Sequence, residues 1–320
     1  MKTAVVLTGL LVALTINVNA YHSLFVLGDY VGDYDGDGKS DLAVYSNGYW
    51  SIYSVAKNAI ILDNIGPWGG ADYIPVTGDY DGDGKSDLAV YSYEGYWSIY
   101  SLAKNEIILN NVGPWGGEQY LPVTGDYDGD GKADLAVYNF VTGYWSIYSL
   151  AKNEIILNNA GPWGRSGYIP VPGDYDGDGK ADLALCSSYG YWSIYSLAKN
   201  EIILANAGPW GGLEDYAPVP GDYDGDGKSD LAVYGHDGCW SIYSLAKNAI
   251  ILANAGPWGG PGYMPVPGDY DGDGKCDLTV YSPDGCWSIY SVAKNAIILD
   301  NIGPWGGADW RTVAFWPNVF

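Results

Sequence analysis

Nine residues, Asp-Tyr-Asp-Gly-Asp-Gly-Lys-Ser-Asp, carry the densest chemistry in this chain. They run from Asp33 to Asp41 and return from Asp79, Asp126, Asp174, Asp222 and Asp269, with only the eighth residue changing. Carboxylates stand at loop positions 1, 3, 5 and 9. At 4 Å and an effective dielectric of 20, each like-charged pair costs about 4 kcal/mol, so a tight loop converges these groups only around a cation. Alternating Asp side chains put hard oxygens on one side of a turn, and glycine supplies the positive φ the turn requires. A solvated acidic turn needs no such spacing.

Glycine at position 6 and a free carbonyl at position 7 match the calcium loop of an EF-hand, which points to Ca²⁺, about six per chain. Two features differ: position 12 carries no Glu, and a strand-like run follows instead of a helix. The expected ligands are Asp33, Asp35, Asp37, the Lys39 carbonyl and Asp41, then Asp79, Asp81, Asp83, Lys85 and Asp87. The third and fourth loops offer Asp126, Asp128, Asp130, Lys132 and Asp134, and Asp174, Asp176, Asp178, Lys180 and Asp182. The last two offer Asp222, Asp224, Asp226, Lys228 and Asp230, and Asp269, Asp271, Asp273, Lys275 and Asp277.

Residues 76 to 90, Val-Thr-Gly-Asp-Tyr-Asp-Gly-Asp-Gly-Lys-Ser-Asp-Leu-Ala-Val, resemble the FG-GAP/VCBS repeat. The resemblance covers nearly all of the chain after residue 20. It implies the calcium-bearing β-propellers found in integrin α subunits, some fungal lectins and many secreted bacterial proteins. It also implies the same ligand positions in each loop. The Phe-Gly and Gly-Ala-Pro dipeptides of the integrin version are absent, so ligands particular to integrins are not carried over.

The elements that must position these loops recur with them. Loop starts lie 46, 47, 48, 48 and 47 residues apart, near the period of four-stranded propeller blades. In one unit, strand A is expected over Ile74 to Thr77, B over Leu88 to Ser92, C over Tyr96 to Leu102 and D over Ile107 to Asn111. These runs are rich in Ile, Val, Tyr and Trp, with Gly, Pro and Asn between them. Strand C carries large residues on both faces, as a blade packed between two others requires. The expected fold is an all-β, six-bladed β-propeller of four-stranded blades with calcium loops between strands A and B. Seven blades, or an incompletely closed ring, are the alternatives. Either the run Leu24 to Leu27 or the stretch Trp310 to Phe320 could complete the ring, hiding its strand edges.

Met1 to Ala20 reads as a secretory signal peptide: Lys2, an apolar run from Ala4 to Ile16, and Val18-Asn19-Ala20 as the cleavage site. Residues 21–320 then form one propeller. The destination is extracellular, periplasmic or at the cell surface. No later stretch is long and apolar enough to span a bilayer as a helix. Net charge is −23, from 38 acidic and 15 basic residues, which argues against nucleic acid and anionic membranes as partners. The four cysteines replace residues of a pattern that works without them, and read as buried free thiols; a Cys239–Cys286 bridge is the alternative.

Antiparallel strands sort the connections between two ends of the ring. The calcium loops and the Ala-Lys-Asn turns fall at one end, nearly invariant. The B–C turns and D–A connections fall at the other, where Ser46-Asn47-Gly48 stands against Asn139-Phe140-Val141-Thr142-Gly143. Variable loops on a rigid scaffold suit a binding face, although such loops also drift where nothing depends on them. Each unit carries two tryptophans. Trp50, Trp97, Trp145, Trp192, Trp240 and Trp287 on strand C read as core between blades. Trp68, Trp115, Trp163, Trp210, Trp258 and Trp305, in Gly-Pro-Trp at the variable end, could stack on sugars or pack against the next blade.

Catalysis finds little footing. His22 and His236 are the only histidines, Arg165 and Arg311 the only arginines, and a pair such as Glu94 and Glu214 would need loops to bring it together. The expected function is a monomeric, non-enzymatic binding or adhesion module whose partner is a glycan or a cell-surface or extracellular protein. A purely structural matrix protein and a polysaccharide-active enzyme are the alternatives.

Overall fold

The computed structural model describes residues 32–212, 215–306 and 310–313. Met1 to Ala20, expected to be a signal peptide, Leu24 to Leu27 and Glu214 lie outside the described residues.

Among the described residues, twenty-four strands form six four-stranded antiparallel sheets arranged as a six-bladed propeller. The first blade holds β1 (Leu42–Ser46), β2 (Tyr49–Ser54) and β3 (Ala59–Ile65), and the second β4 (Tyr73–Pro75), β5 (Leu88–Ser92), β6 (Trp97–Ser101) and β7 (Glu106–Val112). The third holds β8 (Tyr120–Pro122), β9 (Leu135–Asn139), β10 (Tyr144–Ser149) and β11 (Glu154–Ala160). The fourth holds β12 (Tyr168–Pro170), β13 (Leu183–Ser187), β14 (Trp192–Ser196) and β15 (Glu201–Ala207). The fifth holds β16 (Tyr216–Pro218), β17 (Leu231–Gly235), β18 (Trp240–Ser244) and β19 (Ala249–Ala255). The sixth holds β20 (Met264–Pro265), β21 (Leu278–Tyr281), β22 (Trp287–Ser291) and β23 (Ala296–Ile302), and β24 (Arg311–Thr312) returns to the first blade.

Strand order within a blade follows the chain, β4-β5-β6-β7, and burial follows that order. The second strand is buried at every residue, because neighbouring blades cover both its faces. The third alternates: Trp97 and Ile99 are fully buried, while Ser98 and Tyr100 are half-buried. The fourth, β7, is the outer edge and exposes both its ends. Its register against β6 shifts twice, pairing Trp97 with Val112, Ile99 with Leu109 and Tyr100 with Ile107. Asn111, at φ +52°, takes up part of that slack, and its N–H donates to Ser98 Oγ at 2.9 Å instead of to the ladder. Such bulges twist an outer edge away from pairing with another chain.

The core is split into six clusters, each shared by two blades. Ile74, Val76, Tyr91, Trp97 and Ile99 of the second blade pack with Leu135 and Val137 of the third. The last cluster joins Leu42 and Val44 of the first blade to Tyr281, Trp287 and Ile289 of the sixth. The six strand-C tryptophans, Trp50, Trp97, Trp145, Trp192, Trp240 and Trp287, are all at most 1 % exposed, as core residues between blades.

The ring is closed and six-bladed, so the seven-bladed and open alternatives fall away. The strand that completes the first blade comes from the C-terminal stretch: Arg311 pairs with Tyr45 and Thr312 with Val44, and Val313 N–H donates to the Ala43 carbonyl at 3.1 Å. Strand A is shorter than Ile74 to Thr77, because Pro75 has no N–H, yet Val76 N–H still reaches the Ala89 carbonyl at 2.9 Å.

Candidate cation centres

Each acidic loop is built around its first carboxylate. In the second blade Asp79 Oδ1 accepts from Gly82 N–H at 2.7 Å and Asp83 N–H at 3.3 Å, and Oδ2 accepts from Gly84 N–H at 2.8 Å. Asp83 Oδ1 accepts from Lys85 N–H at 3.0 Å. Gly84 sits at φ +83° with nothing near a notional Cβ, so conformation alone demands glycine there. Gly82, at φ +76°, has a second reason: Lys132 of the next blade lies across it, its Cε 2.7 Å from where a Cβ would stand.

The third-position side chain is largely covered. The side chains of Asp35, Asp81, Asp128, Asp176, Asp224 and Asp271 are between 5 and 9 % exposed. Each turns Oδ2 toward a lysine ammonium at 2.9–3.0 Å: Lys57, Lys104, Lys152, Lys199, Lys247 and Lys294 respectively. Oδ1 of Asp35, Asp128, Asp176, Asp224 and Asp271 is buried without a hydrogen bond of ordinary length. Against the upward push of burial, the nearby Ser54, Ser149, Ser196, Ser244 and Ser291 and the paired lysines hold these carboxyls below the usual range. A buried anionic oxygen short of donors is expensive, and it is the position a cation satisfies. The ninth position starts the second strand. Asp87 is buried, its Oδ2 accepts from Tyr80 N–H at 2.9 Å, and the same bond recurs in every blade. Burial, reinforced by the other three carboxylates of the loop, pushes the carboxyl groups of Asp41, Asp87, Asp134, Asp182, Asp230 and Asp277 up to about 7.

Three of the four predicted carboxylates come together in each of five loops, while Asp41 in the first and Asp83, Asp130, Asp178 and Asp226 in the next four fall outside these sets. Within each of the sets Asp33/Asp35/Asp37, Asp79/Asp81/Asp87, Asp126/Asp128/Asp134, Asp174/Asp176/Asp182 and Asp222/Asp224/Asp230, one atom from each residue lies within 4.8 Å of the others. This all-oxygen donor set with an unsatisfied buried oxygen fits a hard dication such as Ca²⁺. The lysines of the Ala-Lys-Asn turns were missed as partners of the loops. Their one sequence signal is recurrence 22 to 24 residues after the third-position Asp.

At the opposite end, the D–A connection ties back onto the B–C turn. Trp68 N–H donates to the Gly48 carbonyl at 2.7 Å, and the bond recurs at Trp115, Trp163, Trp210, Trp258 and Trp305. The hydroxyl of Tyr91 accepts from Gly117 N–H at 2.8 Å, and Tyr45 and Tyr234 do the same for Gly70 and Gly260. Where the fourth blade has Cys186, that hydroxyl is missing. No disulfide joins the four cysteines, but only Cys186 is buried; Cys239, Cys276 and Cys286 are half-buried, short of the full burial expected.

The Gly-Pro-Trp tryptophans are half-buried, and each meets the strand-C tyrosine of the next blade. Trp68 lies 5.8 Å from Tyr100, Trp115 6.1 Å from Tyr148, Trp163 5.1 Å from Tyr195, Trp210 5.8 Å from Tyr243 and Trp258 5.9 Å from Tyr290, between ring centroids. These five pairs are tilted or edge-on, whereas Trp305 stacks on Tyr53 at 4.1 Å and 24°. Beside that pair a groove of about 300 Å³ opens between the sixth and first blades, lined by Tyr53, Asp63, Asn64, Trp287, Trp305 and Trp310.

Comparison with known proteins agrees with this architecture. A family model described as an FG-GAP-like repeat matches residues 79–137, 126–185 and 174–233. No curated relative matches the chain in sequence. Among solved structures, an Agrocybe aegerita lectin, described as specifically recognising non-reducing terminal N-acetylglucosamine, is similar at 17 % identity and a TM-score of 0.56, over 89 % of this chain and 79 % of that one. A chain of the mitotic checkpoint complex matches at 12 % identity and a TM-score of 0.43, over 70 % of this chain and 63 % of that one, too low to carry an argument.

Proposed function

Residues 79–233 are repeats of the FG-GAP-like family, and from that premise we propose that the protein is an exported, calcium-binding propeller that acts as a binding module, with a carbohydrate as ligand. The observation that carries the calcium reading is the buried Oδ1 at the third loop position, left without a hydrogen bond of ordinary length in five of the six loops. Asp33, Asp35, Asp37, the Lys39 carbonyl and Asp41, with their equivalents, would hold the ion. Its chemistry there is counter-charge: it relieves the repulsion among four carboxylates and fixes the start of the second strand.

Support for a glycan ligand comes from the division of labour between the two ends and from the fold shared with a lectin. The aromatic groove beside Trp305 offers flat apolar faces with Asp63 and Asn64 as polar partners, a combination suited to a sugar ring. A second reading, a purely structural matrix protein, is favoured by the packing of each Gly-Pro-Trp tryptophan against the neighbouring blade. A glycan array probed with the exported chain in calcium separates the two. Binding of glycans that is weakened by Trp305→Ala, with unchanged melting of that variant in calcium, supports the lectin reading. An array with no bound glycan leaves the structural one.

A further inference from the structure

The six loops are joined by an unbroken path of peptide groups. In each loop the N–H of position 8 crosses to the preceding blade and donates to the carbonyl of position 1. The six bonds are Ser86 to Asp33 at 2.7 Å, Ala133 to Asp79 at 2.6 Å, Ala181 to Asp126 at 2.7 Å, Ser229 to Asp174 at 2.6 Å, Cys276 to Asp222 at 2.7 Å and, closing the circle, Ser40 to Asp269 at 2.7 Å.

Each of these bonds has a ligand position on either side. The peptide that supplies the Ser86 N–H has as its other end the Lys85 carbonyl, the position-7 donor of the second loop. The peptide that supplies the Asp33 carbonyl has as its other end the Tyr34 N–H, which donates to Asp41 Oδ2 at 2.8 Å. Asp41 is the position-9 donor of the first loop. Two peptide groups in series therefore connect a donor atom of one loop to a donor carboxylate of its neighbour. The corresponding second bonds, from Tyr80, Tyr127, Tyr175, Tyr223 and Tyr270, measure 2.9–3.0 Å.

Peptide resonance makes the two ends of each group respond together: positive charge drawn to the oxygen makes the N–H a stronger donor. Hydrogen bonds in series strengthen one another by perhaps 10–30 % per bond in a low-dielectric setting. The contact also has little slack. A Cβ on Gly78 would stand 2.7 Å from the Ala133 Cβ, and one on Gly125 2.7 Å from the Ala181 Cβ, so a shift in one loop is felt by the next. The added charge of a filled loop opposes a second cation next door, so the favourable coupling is one of ordering: the shared bonds hold the neighbour's position-9 carboxylate in place before its ion arrives.

We propose that the six loops are a coupled ring, in which a filled loop raises the affinity of its neighbour, so that the chain passes from empty to fully loaded with few partly loaded species. The inference rests on the reading of the loops as cation sites. Its test is native mass spectrometry of the exported chain at sub-saturating Ca²⁺, which reads the distribution of bound ions. Coupling predicts two populations, near zero and near full occupancy, and a Hill coefficient above 1. A binomial ladder of intermediates would overturn the coupling while leaving the sites intact. Absence of bound Ca²⁺ at any concentration would overturn the cation reading itself, and the coupling with it. A variant supplies a second arm. Asp130→Asn alters an exposed carboxylate in the third loop only, and should raise the half-saturation concentration of the remaining loops on the order of fivefold. An unchanged midpoint for those loops would contradict the ring.

Discussion

The two ends of the ring are built from the same strands and obey different rules. At the loop end, the same atoms are committed in each copy: the first carboxylate to its own loop, the third to a lysine, the ninth to a tyrosine N–H, and the eighth N–H to the preceding blade. Only the eighth residue, which acts through its backbone N–H, varies, and the six copies are otherwise almost identical. At the turn end, a few bonds anchor each blade, chiefly tryptophan N–H to glycine carbonyl, and the turn between them is free to change length. The five-residue turn from Asn139 to Gly143 is held by its own Asn139 Oδ1, which accepts from Val141 and Thr142 N–H at 3.0 and 2.9 Å. Constraint at one end and latitude at the other separate a structural region from a region where specificity can evolve.

The sharpest contrast lies between the two tryptophans of a blade. Trp145 is fully buried, and Trp145→Ala is expected to cost about 3–5 kcal/mol by urea unfolding. Trp163, half-buried at the turn end, should cost clearly less on truncation. Equal losses would break the distinction between core and connection. Asp134→Ala leaves the buried Tyr127 N–H without its acceptor, a loss of about 1–3 kcal/mol before any effect on cation binding. Val141→Ser in the exposed turn should stay within about 0.5 kcal/mol by the same assay. Tyr91→Phe removes one hydroxyl from Gly117 N–H and should cost about 1 kcal/mol.

Thiol labelling sharpens the comparison with the smallest perturbation. Burial pushes the Cys186 thiol up to about 12, so it should stay unmodified in the native protein. Cys239 and Cys286, at the turn end, should react at the same rate with or without calcium. Cys276 sits at the eighth position of the sixth loop, against Gly221, and its labelling should slow when calcium is present. Equal calcium dependence at all three half-buried thiols, read by peptide mass mapping, would erase the difference between the ends.

Much of this was legible in the sequence because local patterns are read off directly. The spacing of Asp and Gly named the loops, and the aromatic runs placed the second strand, Leu88 to Ser92, on its residues. What failed to show depended on partners distant in the chain. Lys104 looks like an ordinary turn lysine until the antiparallel return of the third strand brings it to Asp81. The glycine at position 4 gains its steric role from Lys132 of another blade. Trp310 to Phe320 was one of two stretches the sequence offered for closing the ring, and the choice shows only in the pairing of Arg311 with Tyr45 and Thr312 with Val44. The Gly-Pro-Trp indoles were open to either a ligand or the next blade, and the neighbouring tyrosine decides what they touch.

The central claim, that cations hold the loop end together, is tested most directly by thermal unfolding of residues 21–320. Ca²⁺ is titrated in, then removed with EGTA, and bound metal is counted by mass spectrometry. The account predicts about six Ca²⁺ per chain and a melting temperature that climbs with free calcium and collapses with chelation, since a ligand of the native state alone stabilises it. A chain that binds no metal and melts at one temperature throughout would contradict it.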